Sequence, residues 1–254
     1  MKKIILVIIV QYLIWLPLFG QDSERKPIFP MIGFDLNYSY GVPSGDLSTL
    51  YGNSLSVGTA IVYSTSNNKW SFGISGNYLF GNKVKPDVIA AFRTTHEGLI
   101  IGSDNLLAEA KLKERGYFTS VWLGRLIPIA RTTTAIHGIK IKLGIGHLDH
   151  KIKIVDETRS INQWYTEYLK GFDHRAAGPA ITTFIGYEFL EYRGRIWCYA
   201  GVEPIFGLTK SLRSYYYDLN QASSSAQRQD FLLNFKIAWI LPMYRFKKSD
   251  QIEY

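Results

Sequence analysis

Two stretches bring histidine next to carboxylate: His147, Asp149 and His150, and Asp173, His174 and Arg175. An imidazole oriented by a carboxylate can act as a general base, and two imidazoles with a carboxylate can hold zinc. The spacing argues against both. His147 and His150 are three apart in a stretch that alternates like a strand, so their rings point to opposite faces. Without a bend to bring them together, the three side chains are solvated polar groups. Asp173 and His174 would need a nucleophilic serine near the ring. No serine has the outward parity on a neighbouring strand close to a histidine. A phosphate-binding loop, a dinucleotide fingerprint and a zinc pattern are all missing. Cys198 is the one cysteine, which excludes an intramolecular disulfide framework. The residues therefore predict no catalytic, cofactor-binding or metal site.

Other charged side chains follow a different rule. Asp35, Lys140, Lys142, Glu188, Glu203 and Lys236 each occupy the small or polar parity of a segment that alternates with period two. Such alternation is the signature of a strand with two unlike faces. From Asp230 to Phe246, Phe231, Leu233, Phe235, Ile237, Trp239 and Leu241 fall on one face. Asp230, Asn234, Lys236 and Ala238 fall on the other, with Leu232 and Ile240. Ile32 to Tyr40 alternates most cleanly, and Pro43, Gly45 and Asp46 are expected to break it. Further strands are predicted at 55–63, 70–80, 117–127, 139–145 with a continuation to 154, 179–189 and 196–208. The inward face of the 117–127 strand stays open on the sequence.

The connections alternate in length. Long ones follow strands one, three, five and seven, and short ones such as 64–69 follow the others. The segment 81–116 is charged and has room for a short helix. Met1 to Gly20 begins with two lysines and continues mostly apolar, the form of a secretory signal peptide. Its loss takes two lysines and no acids, leaving a net charge of +6 from +8. With export, that charge makes nucleic acid a poor partner. Apolar residues make up 46 per cent of the chain without a second long apolar run, which excludes a helical membrane bundle but not a barrel.

An apolar aromatic outer face, a polar inner face, a C-terminal strand ending on Tyr244 and Phe246, and alternating loop lengths together resemble the small outer-membrane β-barrel superfamily of Gram-negative bacteria, with its OmpA-type and OmpX-type barrels. The segment Leu169 to Phe189, LKGFDHRAAGPAITTFIGYEF, is also similar to one that recurs in barrels of this class. The resemblance implies an all-β fold, an eight-stranded antiparallel up-and-down transmembrane β-barrel over 31–246. A periplasmic leader (21–30) and a short tail (247–254) would flank it. It implies outer-membrane lipid and lipopolysaccharide as surroundings, and four long external loops free to meet a protein partner.

An eight-stranded lumen is just wide enough for side chains to fill. The six charged residues are expected there, Asp35, Lys140 and Glu188 toward the periplasm and Lys142, Glu203 and Lys236 at mid-height or above. Either they close into one ion-pair network that plugs the barrel, or some reach water at the rims. The loop aromatics Trp164, Tyr165, Tyr168, Phe172, Tyr215, Tyr216 and Tyr217 form either a binding patch or a folded cap at the outer girdle. The basic loop residues Lys83, Lys85, Arg93, Lys111, Lys113, Arg115, Lys170 and Arg175 suit lipopolysaccharide phosphates. A non-enzymatic protein acting through its loops is the leading expectation. An accessory subunit of a secretion, assembly or uptake machine is second, and a lipid-modifying enzyme third.

Overall fold

A computed structural model describes residues 30–65, 70–95, 98–131, 135–156, 161, 164, 166–191, 196–223 and 226–245. Eight strands form a closed barrel: β1 (Met31–Gly45), β2 (Ser54–Ser64), β3 (Trp70–Gly81), β4 (Ala110–Arg131), β5 (Ala135–Asp156), β6 (Ala176–Glu191), β7 (Trp197–Ser211) and β8 (Arg228–Arg245). Each pairs antiparallel with its sequence neighbours, and β1 closes the ring on β8. Following partners once around the ring leads from Ile141 through Ile185, Val202, Phe235, Tyr40, Leu55, Phe80 and Arg115 to Lys151. The path returns to β5 ten residues from its start, which is the stagger that tilts the strands.

The alternation read from the sequence becomes an inverted protein. Leu36, Val57, Ile74, Val121, Ile145, Ile185, Ile237 and Trp239 are exposed, while Asp35, Lys140, Lys142, Glu188, Asn234 and Lys236 are buried. A continuous apolar belt around a charged interior is a surface made for lipid. Trp122, Phe118 and Leu126 point inward on β4, and Tyr117, Val121 and Leu123 outward. Both faces of β4 are thus apolar, which is why period two alone did not orient it.

Four expectations need correction. β1 runs through Pro43 to Gly45, because beyond Gly41 it pairs with β8 alone and Pro43 lies on an open edge, and the left-handed φ of 62° at Gly45 ends it. β4 begins at Ala110, so the last part of the presumed loop 81–116 is strand, paired with β5 up to Asp156. What remains of that loop holds a 3-10 turn (Ala90–Phe92) and a ladder between Ile100–Ile101 and Leu107–Ala108. β6 likewise begins at Ala176, ahead of Pro179. Two four-residue helices occur in the loops, α1 (Leu47–Leu50) and α2 (Thr166–Leu169). Residues 1–29, 246–254 and Tyr165 lie outside the described residues, and with them the signal peptide, most of the leader, the tail and one loop aromatic.

Candidate functional site

The lumen is filled in layers. Near the end that carries the short connections, Lys140 Nζ lies 2.9 Å from Glu188 Oε1, and both are almost fully buried. Trp197 Nε1 donates to the same carboxylate oxygen. Above, Asp35 accepts hydrogen bonds from Asn37 at 2.9 Å and Tyr199 at 2.6 Å. Lys142 lies 3.8 Å from the Tyr199 ring centroid and 4.4 Å from that of Trp122. Lys236 pairs with Glu203 higher up. The six charged residues are all buried, but they do not form one network of ion pairs. Two pairs stand apart, and Tyr199 joins Asp35 to Lys142 by a hydrogen bond on one side and a cation–π contact on the other.

Glycines make room for these rings. Trp122 lies between Gly73 on β3 and Gly144 on β5 in the register. A Cβ on Gly73 would come 2.3 Å from the Trp122 ring, and one on Gly144 2.9 Å from its Cβ.

A second polar layer closes the mouth at the end that carries the long connections. His150 Nε2 lies 2.9 Å from Asp230, and its Nδ1 lies 3.3 Å from the Tyr51 hydroxyl. Thr209 donates to the same Asp230 oxygen. Glu114 is 1 % exposed in this layer, and its Oε2 has no hydrogen-bond partner among the described residues. The barrel's outer face at this height carries Arg115, Asp149, Lys151 and Lys210, so the layer stands beyond the hydrocarbon. Burial pushes Glu114 up to about 7, against a smaller pull from Arg115. Burial raises Asp230 too, but the His150 and Thr209 hydrogen bonds and the Arg228 charge leave it below the usual carboxylate range. Burial, with Glu114 and Asp230 nearby, holds the Tyr51 hydroxyl well above its ordinary value.

Solvated histidines were expected at the end of β5. His147 is exposed, but His150 is not, because β5 continues its alternation past the membrane and turns that ring into the mouth. Asp149 is bound by Arg175, with Nη2 at 2.6 Å. His174 pairs with Asp218 at 2.9 Å and stacks on Tyr216 at 4.2 Å, while Asp173 is held by Arg213. These contacts tie the 161–175 segment to the 212–223 segment. Glu114 and Tyr51 were not singled out on the sequence and His150 was read as solvated, although His150 and Glu114 share the inward parity of Lys142 and Trp122.

Above the mouth the loops pack on one another. Phe92 meets Phe172 at 5.5 Å and Trp164 at 5.9 Å, and Phe172 meets Tyr168 and Tyr217 at 5.4 and 5.5 Å. Phe172 is buried, Trp164 and Tyr168 are half-buried, and Tyr215 and Tyr217 remain exposed. Phe172, Trp164 and Tyr168 therefore belong to the core of a cap. Beside it an open groove of about 660 Å³ is lined by Lys85, Arg93, Lys111 and Lys113, with Asp87 as its acid. Arg93 is engaged by Asp87, and Lys111 lies 3.4 Å from Glu109.

No protein-family model matches the chain, and no curated protein is significantly similar to it in sequence. Solved structures are similar in shape. Neisserial surface protein A is 8% identical with a TM-score of 0.41, covering 83% of this chain and 96% of its own. Ail, the attachment invasion locus protein of Yersinia pestis, is 10% identical with a TM-score of 0.40, covering 84% and 98%. Ail has also been solved in complex with the heparin analogue sucrose octasulfate, and that structure gives a TM-score of 0.37 at 10% identity over 84% and 98%. With its closed ring, exposed apolar belt and charged lumen, the chain folds as an eight-stranded, antiparallel, up-and-down β-barrel of the transmembrane kind.

Proposed function

We propose that the protein is a non-enzymatic barrel of the Gram-negative outer membrane, matured by removal of residues 1–20, that works by binding through its external loops. The observation that carries this reading is the cap. Loops that merely connect strands have no need of a shared core, yet Phe92, Trp164, Tyr168, Phe172 and Tyr217 come from three connections and pack together. Ordering these segments costs conformational entropy that the aromatic contacts offset, and the product is a fixed surface. That surface carries the Lys85–Arg93–Lys111–Lys113 groove, whose chemistry suits the phosphates of lipopolysaccharide.

The test is binding of the refolded full chain to lipopolysaccharide in detergent, with lipid A stripped of phosphate as control. The reading expects retention that falls on dephosphorylation and falls again with Lys111→Glu. Equal retention of both lipids would overturn it. Lipid A acyl chains should be unchanged by mass spectrometry when the chain is expressed, and a new or missing acyl group would return the protein to the enzymes.

A second reading, docking as an accessory subunit, draws on another observation. Leu212, Tyr215, Tyr217 and Leu219 are all exposed in the last loop. Purification in mild detergent should then yield a stoichiometric partner, lost on Leu212→Asp. Recovery of the chain alone would remove this reading.

A further inference from the structure

The outer mouth is covered by the first external loop. α1 ends in Tyr51, whose side chain is fully buried over His150, the rings meeting edge to face at 5.5 Å. The Gly52 amide donates to the Lys83 carbonyl at 2.8 Å, and the Lys85 amide to the Leu50 carbonyl at 2.8 Å. The Leu50–Gly52 stretch is thus strapped to the start of the β3–β4 connection, with Leu47 and Tyr51 buried beneath the loop and Asp46 bonded to Gln229 on β8. Beneath it Glu114 is shut away from water, and a Cβ on Gly81 would meet both the Glu114 Oε2 and the Asn53 carbonyl. The geometry encloses beneath that loop a carboxylate that makes no compensating hydrogen bond through Oε2.

We propose that Glu114, His150 and Asp230 form a proton-operated latch, which seats the first external loop through Tyr51 in acid and lets it lift as the pH rises. A neutral Glu114 tolerates its enclosure. An ionised one gains by admitting water, and the way to admit it is to raise Tyr51 and the Leu50–Asn53 stretch. Every charged group facing the layer enters the balance. Asp230 and Arg228 come from β8, with Arg228 Nη2 3.6 Å from Asp230 Oδ1. His150 comes from β5, Arg115 from β4 itself, and Asp173 from the segment before β6. β7 adds only the Thr209 hydroxyl and β3 only Gly81 at this height. Asp173 is already neutralised by Arg213, and Asp230 stays ionised through its hydrogen bonds. Glu114 is the group left to titrate. The folded-state value of Glu114 lies above its ordinary one, so the closed lid is favoured most below pH 4.5 and loses that advantage up to about 7.

The test is amide hydrogen exchange of the full chain in micelles from pH 4.5 to 8, corrected for the intrinsic rate at each pH. Gly52 and Lys85 report on the lid, and amides of β5 at Leu143 and Ile145 on the barrel. The lid's opening constant should rise on the order of 100-fold between pH 4.5 and 8, most of it by pH 7, the extent set by the displacement of Glu114. The β5 amides should not follow. Glu114→Gln should leave the lid protected across the range, whereas Tyr51→Ala should open it at every pH. Heat-modifiable migration on gels checks that each variant is a folded barrel. Tyr51→Phe, which keeps the ring but not the hydroxyl, should retain the pH dependence. A lid whose corrected exchange ignores pH in the parent chain, or follows it equally in Glu114→Gln, overturns the latch.

Discussion

Lys140 meets a carboxylate, an indole N–H donor to that same carboxylate, and three ring faces in a space closed to water. Its ammonium lies 2.9 Å from Glu188 and 4.9 Å from the Tyr199 ring centroid. The Coulomb attraction is strong in such a setting, but each ion has given up its hydration, so the pair as a whole stabilises little. Breaking it is different, because the surviving ion then has no partner and no water. Lys140→Met should lower the unfolding free energy by about 3–5 kcal/mol, and Glu188→Leu by a similar amount. The double variant should recover most of that loss, since two apolar side chains fill the space without a stranded charge. Urea unfolding in lipid vesicles measures all four chains. A double variant as weak as the sum of the singles would mean that the two side chains act independently and that a stranded charge is not what the single variants lose. Lys236 and Glu203 form a second pair some distance up the lumen, and their contribution should add to the first without coupling.

Within elements, alternation did most of the specifying. β1, β2, β3 and β8 each put an apolar face outward and a small or polar face inward, and their faces could be read residue by residue. β4 could not, because its lumen face carries Phe118, Trp122 and Leu126 and is as apolar as its lipid face. The deciding information was in the neighbours: inward glycines at 73 and 144 only make sense beside a large inward ring. His150 was hidden for another reason. A strand that leaves the membrane keeps its parity but loses the apolar outer face that makes parity visible, so an inward histidine reads like a solvated one. The cap left no periodic trace at all, since Phe92 reaches Phe172 across separate connections. The glycine argument can be tested as an element property. Gly73→Val would drive its side chain into the Trp122 ring and cost about 1–3 kcal/mol by overpacking. Adding Trp122→Leu should return part of it, which a urea midpoint would register. A fully additive pair would show that the collision is not with that ring.

At the scale of the whole molecule, eight strands staggered by ten residues set an interior that side chains can fill, and here they fill it in three different ways. Ion pairs and rings occupy the lower lumen. Phe118, Leu148, Ile205 and Leu232 form an apolar layer above them, and the Tyr51–His150–Asp230 layer lies above that. The crevice bounded by Ser56, Asn77, Phe118, Glu203 and Asn234 leaves no room for the centre of a water molecule. The seal is therefore mostly one of packing, and packing responds to different variables than charge does. Planar-bilayer recordings of the full chain should show no large stable conductance at any salt concentration, because high salt screens exposed charges far more than the enclosed pairs. Raising the pH to 8 should not open a conductance either, even if the first loop lifts, since the apolar layer beneath Tyr51 carries no titratable group. Steady current that grows with salt would mean a continuous water path past Lys236 and Glu203. Current that appears only above pH 7 would mean that the lid, and not the packed lumen, is what shuts the barrel.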